Sequence, residues 1–191
     1  MARPAAYADT KRLAVCFDGE FGGDLCARLK TSKRLQERVA AVVRRHYGIP
    51  AWLAPEACSE VDRAVALATP QRLSELARRS GAIYWASTIA NAILAPEVEA
   101  LHQQIGEAAC NFALENRDLA GPEQSLDPRD SAGRRMMDDG WRCVGAWCHA
   151  QPPAVGVRVR LKLPPAAIID EPPASDLLEI GPAIVRRAAS K

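Results

Sequence analysis

Net charge is nearly absent from this sequence, and so are aromatic residues and long apolar runs. Against 25 Lys and Arg stand 23 Asp and Glu, a balance of +2 over 191 residues. So small a balance gives no whole-molecule field to draw the chain to nucleic acid or an anionic membrane, and a charge-guided partner needs a local patch. The longest apolar segment, Ala82 to Ala95, is interrupted by Ser87, Thr88 and Asn91. It falls short of the roughly 20 apolar residues a membrane-spanning helix requires. The opening MARPAAYADTKRLAVCFDGEF meets charges too early for a secretory core, so the chain is expected to stay in the cytoplasm. The cysteines, at positions 16, 26, 58, 110, 143 and 148, lack the density and spacing of a disulfide scaffold and are expected to be reduced, mostly buried thiols. FDGEFGGD lacks both the Lys-Ser/Thr of a phosphate loop and the G-x-G-x-x-G order, and reads as a turn.

What the sequence does have is helical periodicity. Residues 1–10 are small and polar and read as a flexible tail, and Leu13 to Phe17 as a short strand or buried turn. Asp24 can cap a short helix; Thr31 and Ser32 can cap a longer one with Leu35, Val39, Val42, Val43 and Tyr47 inward, ended by Gly48 and Pro50. Pro55 opens a helix with the stripe Ala57, Val61, Ala64, Val65 and Ala68; Thr69 and Pro70 then start another that Gly81 is expected to stop. Ala82 to Ala95 is apolar on nearly every side, Ile93 and Leu94 included, and belongs inside a bundle. After Pro96, Val98, Leu101, Ile105, Ala108 and Phe112 form a heptad-like packing seam.

Residues 117–135 are rich in Gly, Pro, Asp, Ser and Arg and read as a long mobile loop; a short helix follows from Gly140 to Ala150. Val155 to Leu163 alternates apolar and polar residues with a period of two, the signature of a half-buried strand, and Gly181-Pro182 is expected to break or restart any helix in the tail. The expected fold is mainly α: a single-domain helical bundle over 1–191. Its main body is 24–116, its loop 117–135, and its C-terminal helix/strand segment 136–191, with a minor β element near 155–163.

Four groups of residues could carry function. Asp18, Glu20 and Asp24 gather three carboxylates in a Gly-rich turn, as a magnesium site for a small hydrolase would, although the spacing matches no metal-loop signature. Cys143, Cys148 and His149 offer soft ligands in an order unlike a zinc knuckle. His46, His102 and His149 could serve a cysteine nucleophile, but no nucleophile motif surrounds any cysteine. On a strand, Arg158, Arg160 and Lys162 would project together as a docking face for an acidic protein surface or phosphates.

The segment LATPQRLSELARRSGAIYWASTIANAILAPEVEALHQQIGEAACNFAL, followed by GWRCVGAWCHAQPP and VRVRLKLP, resembles the SctK (YscK-type) cytoplasmic accessory family of bacterial type III secretion systems. The features are Leu73 to Gly81, Ile83 to Leu94, Val98 to Leu114, Gly140-Trp141 and Pro152 to Pro164. The N-terminal third lacks the aromatic and His-containing opening of the best-known members, as in a divergent branch from a plant-associated or symbiotic system. The resemblance implies a non-enzymatic cytosolic adaptor of the sorting platform, with no cofactor. It would link the cytoplasmic domain of the inner-membrane ring protein to the pod (C-ring-like) protein, and through that to the export ATPase and stator, lying at the inner membrane through protein contacts. The alternatives are the metal-dependent hydrolase built on Asp18, Glu20 and Asp24, and a helical regulator binding nucleic acid through the basic strand.

Overall fold

A computed structural model describes residues 4–50 and 58–190. Its longest helix organises the rest. α1 (Pro4–Tyr7), α2 (Thr10–Val15), α3 (Gly23–Thr31) and α4 (Gln36–His46) form an N-terminal layer. α5 (Glu60–Leu67), α6 (Pro70–Tyr84), α7 (Ala86–Asn91), α8 (Ala95–Ile105) and α9 (Glu107–Glu115) follow. The last four are α10 (Ala132–Ala150), α11 (Pro153–Arg160), α12 (Ala167–Asp170) and α13 (Ser175–Ser190). The fold is mainly α, and the described residues contain no strand. α10 runs through the middle, packed by α6, α13, α11, α12 and α8.

Local signals set several boundaries. Thr69 Oγ1 accepts from the Arg72 N–H at 3.2 Å and Pro70 opens α6, as the sequence leads one to expect. Gly48, at φ +62, ends the helix of Val39 and Val43. Ser59 caps α5 by accepting from the Asp62 N–H at 3.1 Å; the expected start at Pro55 and the stripe residue Ala57 lie outside the described residues.

Tertiary packing overrides other local signals. α6 runs through Gly81 instead of stopping there, because Gly81 and Gly140 bring two helix backbones into contact. A Cβ on Gly81 would sit 2.0 Å from the Met136 carbonyl oxygen, and one on Gly140 1.9 Å from that of Ala77. α10 correspondingly begins at Ala132, well before Gly140. α13 likewise continues through Gly181-Pro182: both are buried with Ile184 and Val185 against α10, and that burial offsets the hydrogen bond proline cannot make.

The expected seam breaks at Gly106, where φ is +85, so that Leu101 of α8 and Ala109, Cys110 and Ala113 of α9 face the core while Ala108 is exposed. The apolar run 82–95 also divides. Trp85 is fully buried between α6 and α7, but α7 ends at Asn91, which leaves Ile93 88% and Leu94 58% exposed.

Residues 4–10 are packed, not loose: Ala5 and Ala8 are fully buried, and Asp9 caps α2 by accepting from the Lys11 N–H at 2.8 Å. Leu13 to Phe17 belongs to α2 and the turn after it. The segment 117–135 is also docked. The Gly121 N–H donates to the Tyr84 carbonyl at 2.9 Å, Thr88 and Gln124 exchange hydrogen bonds, and the last residues of the segment are already α10.

The strand expected at 155–163 is a helix for its first six residues, α11, followed by a turn. At about 100° per residue, Val155, Val159 and Leu163 fall on one helical face and Val157 and Leu161 on the opposite one. The first set packs in the main core with Val144 and Trp147, the second in the N-terminal core with Leu13, Val39 and Val43. A helix buried on two sides thus has the same alternation as a strand buried on one, and Pro153 starts the helix.

Candidate functional site

α11 and the turn after it lie where the two apolar cores meet, so Arg158, Arg160 and Lys162 do not share an exposed face. Arg158 is buried and its Nη2 donates to the Pro50 carbonyl at 3.0 Å. Lys162 Nζ donates to the Ala66 and Ala68 carbonyls at 2.6 and 2.7 Å, closing the C-terminal end of α5 with positive charge. Burial holds that ammonium below its usual pKa, with Cys148 opposing the shift. Arg160 lines a small cavity with Arg12, Tyr47 and Asp170.

The same region anchors the N-terminal layer. Arg12 Nε donates to the Leu163 carbonyl at 2.6 Å, and its Nη2 donates to both Asp170 carboxylate oxygens at 2.9 and 3.0 Å. The Asp9 N–H donates to the Leu161 carbonyl at 2.6 Å, and the Tyr47 hydroxyl to the Arg12 carbonyl at 3.2 Å. Arg158 and Lys162 are fasteners between layers, which corrects the expectation of a shared docking strip.

Two buried carboxylates that sequence reasoning passed over tie the main body together. Asp62 accepts from Trp147 Nε1 at 2.8 Å, from Ser59 Oγ at 2.8 Å and from Arg186 Nε and Nη2 at 2.9 and 3.2 Å, joining α5, α10 and α13. Burial works to raise its pKa, but the hydrogen bonds from Arg186, Trp147 and Ser59 outweigh it and hold the carboxyl below the usual range. Asp139 accepts from Trp85 Nε1 at 2.7 Å and from Arg142 Nη1 at 2.5 Å. The signal lay in the tryptophans: Trp85 and Trp147 are the largest fully buried side chains, and a buried indole N–H requires an acceptor.

The other candidates do not converge. Asp18, Glu20 and Asp24 are all exposed, Asp18 at φ +54, and among the described residues no group of three or more His, Cys, Asp or Glu could hold a metal ion. Cys143 and Cys148 are buried, while their neighbour His149 is exposed. Burial drives the Cys143 thiol far above its normal pKa and pushes Cys148 up to about 12, so neither is a thiolate near neutrality. Burial and the nearby Arg160 lower the pKa of His149. His46 and His102 are exposed, on α4 and α8. All six cysteines are unpaired; Cys26, Cys110, Cys143 and Cys148 are buried.

The polar groups of the interior are therefore committed to holding helices together, which leaves the exterior as the place where this molecule meets others. Exposed large apolar side chains include Ile93 and Leu94 between α7 and α8, Leu67 at the end of α5 and Leu114 on α9. Between α6 and α9 the Arg79 guanidinium lies 4.2 Å above the Phe112 ring, at a groove of about 210 Å³ floored by Ala82, Ala108 and Ala109. Among the described residues no helix is long and apolar enough to cross a membrane.

The chain is similar to nodulation protein NolU. It is 25% identical to NolU of Rhizobium fredii over 171 residues, covering 88% of this chain and 76% of NolU. The same figures hold for NolU of Sinorhizobium fredii (strain NBRC 101917 / NGR234). No family model matches the chain, and no solved structure matches it.

Proposed function

We propose that this protein acts in type III secretion as a non-enzymatic adaptor of the cytosolic sorting platform. It would join the cytoplasmic domain of the inner-membrane ring protein to the pod protein, and through the pod to the export ATPase and stator. The observation that carries the secretion and symbiosis part is the likeness to a nodulation protein over 88% of the chain. The adaptor part rests on the SctK-like order of helices from Leu73 to Pro164. The build of the molecule is compatible with that role: a body locked by the Asp62 and Asp139 hubs keeps its outer faces in fixed relation, as a linker between two partners requires.

Affinity capture of the tagged chain from the cytoplasm of its native host, under secretion-inducing conditions, tests the role. The expected result is co-purification of the ring protein and the pod protein, both lost when the secretion operon is deleted. Capture of neither, with wild-type secretion in a strain lacking this chain, overturns the proposal.

A further inference from the structure

The near-neutral total conceals a strongly basic stretch. From Arg28 to Arg45 the chain holds seven Lys or Arg and one acid, Glu37; since the whole chain carries +2, the remainder is net acidic. This stretch is the second half of α3, the turn after it and most of α4. Arg28, Lys33, Arg34, Arg38 and Arg45 are exposed, and among the described residues none of the seven forms an ion pair or stacks on a ring. Glu37 is engaged in an interaction of its own.

The cations are ordered. α4 turns Gln36, Val39, Ala40 and Val43 inward. Arg34, Arg38, Ala41 and Arg45 follow at i, i+4, i+7 and i+11, about 180° away, in a straight strip roughly 16 Å long. Every charge in the strip is a guanidinium, whose planar fork pairs with a carboxylate through two parallel hydrogen bonds. Ala41 at its centre leaves room for another backbone to come close.

We infer that the outer face of α4 is a docking surface for an acidic α-helix of a partner protein, with carboxylates at the same i, i+4, i+11 spacing. Charge and shape favour this occupant over a polyanion. The strip is one side chain wide, and exposed carboxylates stand at its margins: Glu37 on α4 itself, and Asp24 on α3 four residues before Arg28. A duplex or a lipid surface spanning both helices meets those charges; a single helix along α4 does not. No exposed aromatic residue stands between Arg34 and Arg45 to stack on bases. This face serves as a binding site whether or not the type III secretion reading holds.

The test is fluorescence anisotropy at physiological salt. The probe is a labelled, alanine-based helical peptide carrying Glu at positions i, i+4 and i+11, with the Gln version of the peptide, a short DNA duplex and vesicles of phosphatidylglycerol and phosphatidylcholine as competitors. The Glu peptide is expected to bind, the Gln peptide at least about tenfold more weakly. R38Q/R45Q is expected to weaken Glu-peptide binding at least about tenfold and R38E/R45E more, with unchanged circular dichroism. Absence of Glu-peptide binding, equal binding by the variants, or tighter binding of DNA or vesicles than of the peptide overturns the inference.

Discussion

Replacing Asp62 by Ala removes the carboxylate that holds α5, α10 and α13 together, and the cost can be built up from its partners. The Trp147 side chain is fully buried, so its N–H, which donates to Asp62 at 2.8 Å, has no water to turn to and loses about 1–3 kcal/mol. Arg186 has 44% of its side chain exposed and recovers much of its hydration, so its share is about 1 kcal/mol, well below that of a fully buried pair. The Ser59 cap survives through its bond to the Asp62 N–H, at 3.1 Å, but loses its hydroxyl acceptor. The total is about 3 kcal/mol, a fall in Tm of about 6–12 °C for a chain of this size.

D62N keeps the shape and the acceptor for Trp147 but loses the charge, and should cost about half as much. Because the folded-state pKa of Asp62 is depressed, the stabilisation from its charge is complete above the unfolded pKa, about 3.9, and is lost as pH falls through the folded value. The advantage of wild type over D62N should therefore stay constant from pH 8 to about 5 and shrink below about pH 4. Urea unfolding followed by circular dichroism measures all of this. A D62A effect under about 1 kcal/mol, or an advantage over D62N that grows on acidification, would refute the hub.

The helix crossing makes an equally sharp prediction: Gly140→Ala puts a methyl 1.9 Å from the Ala77 backbone oxygen, and thermal unfolding should show a loss of about 3 kcal/mol or more, whereas Gly23→Ala, with open space around it, should be close to neutral. R158E and K162E should each lower Tm by several degrees through lost contacts with Pro50 and with Ala66 and Ala68, while R160E should change it little. Iodoacetamide at pH 8 on the native protein should leave Cys143 and Cys148 unmodified and react slowly at Cys16, whose thiol burial pushes up to about 11; mass spectrometry of the digest would show it, with labelling of all six once guanidinium unfolds the chain.

How far the sequence could be read depended on whether a feature was local or made by contact. Thr69-Pro70 and Gly48 act within one turn of their own position, and the helix limits they indicate are the observed ones. Gly81 and Gly181-Pro182 carry the same local signals, but each meets α10, and that contact decides. The alternation at 155–163 fits two geometries, and choosing between them requires knowing that a second core lies beyond α11. Asp62 looks like one more surface acid of a short helix until Trp147, 85 residues away, is placed beside it. The cations of α4 were in plain view, hidden by averaging charge over the whole chain.

The most direct measurement of the adaptor role is sedimentation of the purified chain with the purified cytoplasmic domain of the inner-membrane ring protein and the purified pod protein of the same secretion system. The account predicts that this chain sediments with each of them, and that all three sediment as one complex only when it is present. Independent sedimentation of the three proteins at micromolar concentration, or a ring–pod complex that forms equally well without this chain, would contradict it.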